Sequence, residues 1–170
     1  MPPTAARQSP IQADLLIDDP RWTKARLGLG KLVPLALETA LRSLPKKPKA
    51  PLEVTVTFST DKSIRVLNRT HRGKDKPTNV LSFPLWDSLS EIPPSKSAVP
   101  IGDIVIAIET MQREAVEQHK TLKAHLTHML VHGFLHLLGY DHITDKLALE
   151  METLEIKILK KLAINNPYAE

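Results

Sequence analysis

The chain has 170 residues, 42% of them apolar and 25% charged, so a folded domain is expected rather than a disordered chain. It contains no cysteine, which excludes disulfides, thiolate zinc sites and cysteine nucleophiles, so any metal must be bound by His, Asp or Glu. The formal net charge of +4 favours an anionic partner, and no apolar run approaches the roughly 20 residues that cross a bilayer, so no membrane partner is expected.

The first part of the chain predicts two strands and two helices after a flexible tail at residues 1–10, which has three prolines and no periodicity. A short apolar run at 13–18 indicates a first strand. Apolar residues at helical spacing predict one amphipathic helix over 22–44. Strict alternation at 52–58 predicts a second strand, and Thr60 can then cap a helix that runs to about residue 69.

The second part predicts two further strands and three helices. Residues 79–85 indicate a strand that Pro84 ends or places at an edge, residues 86–100 a long loop, and residues 101–108 a buried strand. Three helices follow, which begin at Thr110, Thr121 and Thr144 and end near His119, Gly139 and Leu162. This order predicts an α+β fold, with a single layer of about four mixed strands packed by about five helices, in one domain over residues 11–170.

A histidine motif in the last quarter of the chain predicts a metal site. His132 and His136 are four residues apart, so on a helix they lie one turn apart on the same face and can bind one ion. Gly139 allows a sharp turn out of the helix, which can bring His142 to the same ion. Three imidazole ligands leave a position for water, as in catalytic zinc sites, and place the predicted site at the end of a central helix.

The spacing of these residues matches the His-Glu-x-x-His-x-x-Gly-x-x-His signature of metallopeptidases at the three histidines and the glycine. It departs at Gly133, where the peptidase has the glutamate that acts as general base. A glycine inside a helix costs about 1 kcal/mol relative to alanine, so we expect either a close approach of the substrate or a packing constraint at Gly133.

Three neighbouring residues are candidates for supporting roles. His128 lies one turn before His132 and is expected to support a ligand or to contact the substrate. Asp141 is better suited to orienting a ligand than to accepting a proton. His125 is expected at the surface.

A basic segment between residues 61 and 76 carries six Lys or Arg residues against two acids. Its arginines fall at helical spacing on one side of the predicted helix and its exit. Arg72 stands at a turn before a strand, where a planar guanidinium can bind phosphate in a bidentate manner. The candidate RNA contacts in this segment are Arg65, Arg69, Lys74 and Lys76.

Residues Arg72–Pro84, Gly102–Ile106 and His132–His142 together resemble the YbeY family of bacterial metal-dependent endoribonucleases. The resemblance implies one Zn²⁺ per chain bound by His132, His136 and His142, with other first-row divalent metals as alternatives. It also implies that Arg72 acts with His132 in catalysis and faces the metal across a cleft. The implied substrate is single-stranded RNA, in the maturation of rRNA ends (notably the small-subunit 3′ end) and in ribosome quality control. The ribosome or ribosomal proteins are the implied partners, in the cytoplasm.

Two other functions stay open on the residues alone. One is a metallopeptidase related to the signature above, and the other is a non-catalytic RNA- or ribosome-binding module whose zinc is structural. The general base of a nuclease reaction also stays open between the metal hydroxide, His128 and the 2′-hydroxyl of the RNA. The sequence does not determine the oligomeric state.

Overall fold

The computed structural model describes residues 9–169, which form four strands, six α-helices and one short 3-10 helix. The α+β class and the four strands predicted from the sequence are confirmed. In chain order the elements are β1 (Ile11–Ile17), α1 (Pro20–Lys24), α2 (Leu29–Ser43), β2 (Leu52–Ser59), α3 (Asp61–Arg72), β3 (Val80–Pro84), the 3-10 helix (Leu89–Glu91), β4 (Val99–Ala107), α4 (Ile108–Glu117), α5 (Leu122–Leu137) and α6 (Asp145–Lys161).

The four strands form one mixed sheet in the order β1-β2-β4-β3. The pairs β1–β2 and β2–β4 are parallel, whereas β3 runs antiparallel to β4 at the edge. Ile104 at the middle of β4 lies between Val56 of β2 and Ser82 of β3. Pro84 is the last residue of β3, so the prediction that it ends an edge strand is confirmed.

Helices cover both faces of this sheet, and the two faces carry different residues. On one face, side chains such as Val56, Phe58 and Ile104 belong to the main core with α2 and α5. On the other face, Ile64 of α3 packs against Leu81, Val105 and Ala107. Helix α5 is therefore central, because α2, α4, α6 and the strands β3 and β4 all contact it.

The helix predicted over residues 22–44 is two helices, and this part of the prediction is wrong. Helix α1 ends at Lys24, and α2 begins at Leu29. Arg26 and Gly28 between them have φ values of 51° and 66°, which a continuous right-handed helix does not allow. The apolar spacing continues across the break between α1 and α2 because Trp22 and the apolar residues of α2 pack into the same core.

Thr60, Thr121 and Thr144 cap α3, α5 and α6 as predicted, each by accepting a backbone N–H bond. Thr110 does not cap α4, which begins two residues earlier at Ile108. Its hydroxyl instead donates a 2.6 Å hydrogen bond to Asp61 at the start of α3. This contact links the two helices that follow β2 and β4.

Most of the tail predicted at residues 1–10 lies outside the described residues. Its last two residues contact the fold: the Ser9 hydroxyl lies 2.9 Å from Oε1 of Glu38, and the Pro10 carbonyl accepts the Leu52 N–H. Among the helices formed by residues 9–169, none has both the length and the apolar character needed to cross a membrane.

Candidate metal centre

Two histidines of α5 point their ring nitrogens at each other. The Nε2 atoms of His132 and His136 are 3.0 Å apart, and both side chains are half-buried at the C-terminal part of the helix. Two imidazoles bound to one tetrahedral ion at the usual distances would have nitrogens about 3.3 Å apart. The predicted placement of this pair on one helix face is therefore what the structure shows.

The turn after α5 brings His142 to the same place. Gly139 has φ +94°, and a Cβ on it would lie 2.8 Å from the Asp87 carbonyl oxygen, so only glycine fits this turn. The ligand nitrogens of the three histidines then lie within 4.8 Å of one another. His142 is exposed, and its N–H donates a 2.7 Å bond to the carboxylate of Asp141. Asp141 thus fixes the backbone next to the outermost histidine.

These three nitrogens fit a divalent metal ion. Imidazole suits Zn²⁺ and several other first-row metals, and three protein donors are typical of catalytic rather than structural zinc sites. Burial, together with the neighbouring His132 and His142, lowers the pKa of His136 to about 4. His136 is therefore neutral at pH 7, which is the form that binds a metal.

A buried glutamate of α6, which the sequence analysis missed, holds the inner histidine. Glu155 is only 1% exposed, and its Oε1 lies 2.9 Å from Nδ1 of His132. An ionised carboxylate only accepts, so Nδ1 of His132 carries the proton and its Nε2 presents a lone pair toward His136. This carboxylate fixes the tautomer that a metal ligand requires.

The other oxygen of Glu155 accepts two bonds. Nε2 of His128 donates at 2.8 Å and the Tyr168 hydroxyl donates at 2.7 Å. Burial alone would raise the pKa of Glu155, but the bonds from His128, His132 and Tyr168 outweigh it and lower the pKa to about 2. Burial lowers the pKa of His128, despite the bond to Glu155. His128 thus contacts the residue that orients His132.

His128, His132 and Glu155 also form a second group whose atoms are close enough for a metal ion. The contacts between them, at 2.8 and 2.9 Å, are N–H to carboxylate hydrogen bonds, which leave those atoms satisfied without an ion. This cluster therefore supports the outer site.

His125 is buried rather than exposed, and the prediction of a surface position is wrong. It is 1% exposed, and its Nε2 lies 2.6 Å from the carboxylate of Glu114 on α4. Asn79 donates to the same carboxylate at 3.0 Å, just before β3 begins. A buried histidine is tolerated here because Glu114 provides its hydrogen-bond partner.

Gly133 faces the sheet. Of the two explanations expected for this glycine, a close approach of the substrate or a packing constraint, the structure supports the packing constraint. A Cβ on Gly133 would lie 3.1 Å from both the Ile104 side chain and the Ser82 hydroxyl. That hydroxyl donates a 2.9 Å bond to the Gly133 carbonyl oxygen. The residue at the position of the peptidase glutamate therefore contacts β3 and β4, on a different side of α5 from the histidine nitrogens.

The basic segment lies on α3 and the loop after it, on the opposite face of the sheet from α5. Arg72 is exposed at the last turn of α3, and its side chain makes no hydrogen bond or ion pair within residues 9–169. Arg65 contacts Asp75 at 2.9 Å, and Arg69 is 3.8 Å from the same carboxylate, so part of their charge is neutralised. Lys74 and Lys76 are exposed.

Comparison with known proteins identifies the relatives of this chain. The sequence model of a family described as Endoribonuclease YbeY matches residues 22–163. The chain is 44% identical over 148 residues to a protein from Colwellia psychrerythraea named Endoribonuclease YbeY, which covers 87% of this chain and 92% of that protein. A protein of the same name from Sinorhizobium medicae is 47% identical over 142 residues, or 80% and 82% of the two chains.

One solved structure shares the fold. The solution structure of TM1509 from Thermotoga maritima aligns with a TM-score of 0.53 and covers 94% of this chain and 97% of its own. The sequence identity is 22%, so this similarity concerns the arrangement of helices and strands alone.

Proposed function

The chain belongs to the endoribonuclease YbeY family, and we propose that it is a metal-dependent hydrolase that cleaves single-stranded RNA internally. Its role is in the maturation of rRNA, including the small-subunit 3′ end, and in ribosome quality control in the cytoplasm. The ribosome or its proteins are the partners that such a role requires. The metal is Zn²⁺, one per chain, held by His132, His136 and His142.

The observation that carries this proposal is the convergence of three imidazole nitrogens at the exposed end of α5. When bound there, a divalent metal ion would lower the pKa of a coordinated water and polarise a phosphate oxygen. Glu155 keeps the proton of His132 on Nδ1, and burial keeps His136 neutral. Both effects preserve lone pairs that face the ion.

Arg72 has the chemistry required to stabilise the reacting phosphate. A guanidinium can neutralise the charge that develops on the phosphoryl oxygens, and its donors are free because no side chain within the described residues binds it. Arg72 ends α3, which packs on the face of the sheet opposite α5, so the RNA would have to extend beyond the sheet to contact both Arg72 and the histidines. Lys74 and Lys76 follow Arg72 closely in the chain and are also exposed.

The structural features argue against both alternative functions. A metallopeptidase needs a base at position 133, and that position holds a glycine packed against Ser82 and Ile104. A structural zinc site normally has four protein ligands, whereas the group around His136 in the described part of the chain contains three.

Metal analysis combined with an RNA cleavage assay tests the proposal. The wild-type protein should carry one Zn²⁺ and cleave a single-stranded oligoribonucleotide but not casein. His136→Ala should lose both the metal and the cleavage. His119→Asn is the matched control, because His119 is exposed with φ 54°, a conformation that asparagine tolerates. Casein cleavage, or full metal content in His136→Ala, would refute the proposal.

A further inference from the structure

A groove of about 610 Å³ opens beside the metal centre and is lined by none of the three histidines. One wall is the loop 45–49 that follows α2, and the other is the segment 88–94. Residues 138–141, which lead directly into His142, form the floor. The volume lies in the range of sites that bind small ligands or single monomer units of a polymer.

The walls of this groove are tied together by the backbone. The N–H of Ser95 donates to the carbonyl oxygen of Lys49 at 3.2 Å, which joins the loop 45–49 to the segment after residue 94. Lys47 donates from its ammonium to the carbonyl oxygens of Arg42 and Leu44, at 2.6 and 2.8 Å, and so ends α2. The loop is therefore held in a defined position beside the floor.

Two lysines of this loop are available to a ligand. Lys46 and Lys49 are exposed, and their ammonium groups have no hydrogen-bond or ion-pair partner among residues 9–169. Glu150 of α6 also lines the groove, as does Asp141, whose carboxylate is bonded to the backbone of His142. An anionic polymer would therefore contact the loop that carries Lys46 and Lys49, because it is attracted by the lysines and repelled by Glu150.

The loop 45–49 with its lysines also lines a second cavity next to the groove. This second cavity, of about 440 Å³, adjoins the same loop and shares residues 47–49 with the first. Arg42 lines this cavity, and its only ion pair within the described chain is a 3.9 Å contact with Glu38. Two adjoining cavities that share a loop with three lysines fit an extended anionic chain better than a single small molecule.

We propose that this groove, named here the lysine groove, binds the single-stranded RNA on one side of the cleaved bond. This inference rests on the proposed function. Lys46 and Lys49 contact backbone phosphates, and the apolar surface of Leu89, Tyr140 and Leu147 contacts a base. Because residues 138–141 line the groove and Asp141 is bonded to the backbone of His142, a strand in the groove lies next to the segment that carries His142.

Neutralising the two lysines tests this proposal in the zinc-loaded protein. The variant Lys46→Gln/Lys49→Gln is compared with the matched control Lys24→Gln/Lys31→Gln. Both control lysines are exposed; Lys24 is the last residue of α1, and Lys31 lies in the first turn of α2. The binding probe is a fluorescent 2′-O-methyl oligouridylate of about 16 nucleotides, a length that single-strand binding sites span. Binding is measured by anisotropy over a range of NaCl concentrations.

Loss of two phosphate contacts on a single strand should lower the slope of log K against log salt by about 1.4. With cleavable RNA, the KM of the long oligomer should rise several-fold at constant kcat, whereas a substrate of about four nucleotides, too short to fill the groove, should be unaffected. An unchanged slope, or an equal change in the control variant, would overturn the proposal. If the groove proposal fails in this way but the wild type cleaves RNA, the proposed nuclease function is retained. A wild type that neither binds nor cleaves RNA would refute both the nuclease function and the groove.

Discussion

Nδ1 of His132 lies 2.9 Å from Oε1 of Glu155, a buried carboxylate that comes from a different helix and 23 residues further along the chain. This hydrogen bond determines which nitrogen of His132 is free to bind a metal. The other oxygen of Glu155 is bonded to His128 and Tyr168, so the carboxylate itself is held in place. The proposed metal site therefore depends on α6, although all three proposed ligands precede that helix.

We expect Glu155→Gln to weaken metal binding by about 10- to 100-fold. A glutamine amide that faces His132 would donate to Nδ1, which forces the proton onto Nε2 and removes the lone pair that faces the ion. The measurement is a zinc competition titration with a chelator. Glu152→Gln is the control on the same helix, since Glu152 makes no hydrogen bond or ion pair within residues 9–169. Equal affinity in the two variants would contradict the role given to Glu155.

The metal-free protein should lose stability as the pH falls below about 6.5. Burial and the neighbouring imidazoles lower the pKa of His136 from 6.5 to about 4, so the unfolded chain takes up this proton first. The contribution of His136 is complete above pH 6.5 and is lost by about pH 4. Glu155, with its pKa lowered from 4.5 to about 2, extends the loss to lower pH.

Urea unfolding at a series of pH values, in the presence of a chelator, measures this effect. His136→Ala should have a flatter dependence of the free energy of unfolding between pH 6.5 and 4, because it removes a group whose pKa is lowered from 6.5 to about 4 by folding. A variant curve parallel to the wild type throughout this window would show that His136 does not titrate as inferred.

Arg72→Ala should lower the rate of RNA cleavage by about 100-fold or more, because it removes a cation from the reacting phosphate. The free energy of unfolding should change by less than about 0.5 kcal/mol, since Arg72 is exposed and unbonded within the described residues. Zinc content should be unchanged. Lys62→Ala, on the same helix, is the control for a general loss of positive charge, and an equal loss of rate there would remove the special role of Arg72.

Gly133→Ala should destabilise the protein by about 1 kcal/mol. Alanine gains about 1 kcal/mol of helix propensity, but its methyl group must displace Ile104 and Ser82, and such overpacking costs about 1–3 kcal/mol. Gly30→Ala in α2 is the matched control, because no atom lies within 4 Å of a Cβ at that position, and it should be stabilising. Denaturant unfolding measures both, and a stabilised Gly133→Ala would show that the contact is easily relaxed.

Much of the fold could be predicted because its signals are local. The alternation in β2 and the capping threonines before α3, α5 and α6 act within a few residues, and each is present in the structure. The break between α1 and α2 was missed because apolar spacing continues across it, although Gly28 marked the place. The helical spacing of the histidine pair and the turn at Gly139 are equally local, which is why both could be predicted.

The contacts that complete the site are not local. A glutamate on an amphipathic helix normally faces solvent, so the sequence did not indicate a role for Glu155. It nevertheless lies at helical spacing from Met151 and Ile158, on the apolar face of α6. The burial of His125 could not be predicted for the same reason, because its partner Glu114 belongs to a different helix, α4.

The sequence by itself determined the elements, the spacing of the histidines and the excess of basic residues, because helical periodicity, capping and composition belong to neighbouring residues. Only the tertiary structure decided which carboxylate orients His132, why position 133 is a glycine, and where a groove adjoins the site. Those features arise from the packing of α6, the sheet and the loop after α2 around α5, and packing between distant segments is fixed by shape and burial rather than by any pattern along the chain.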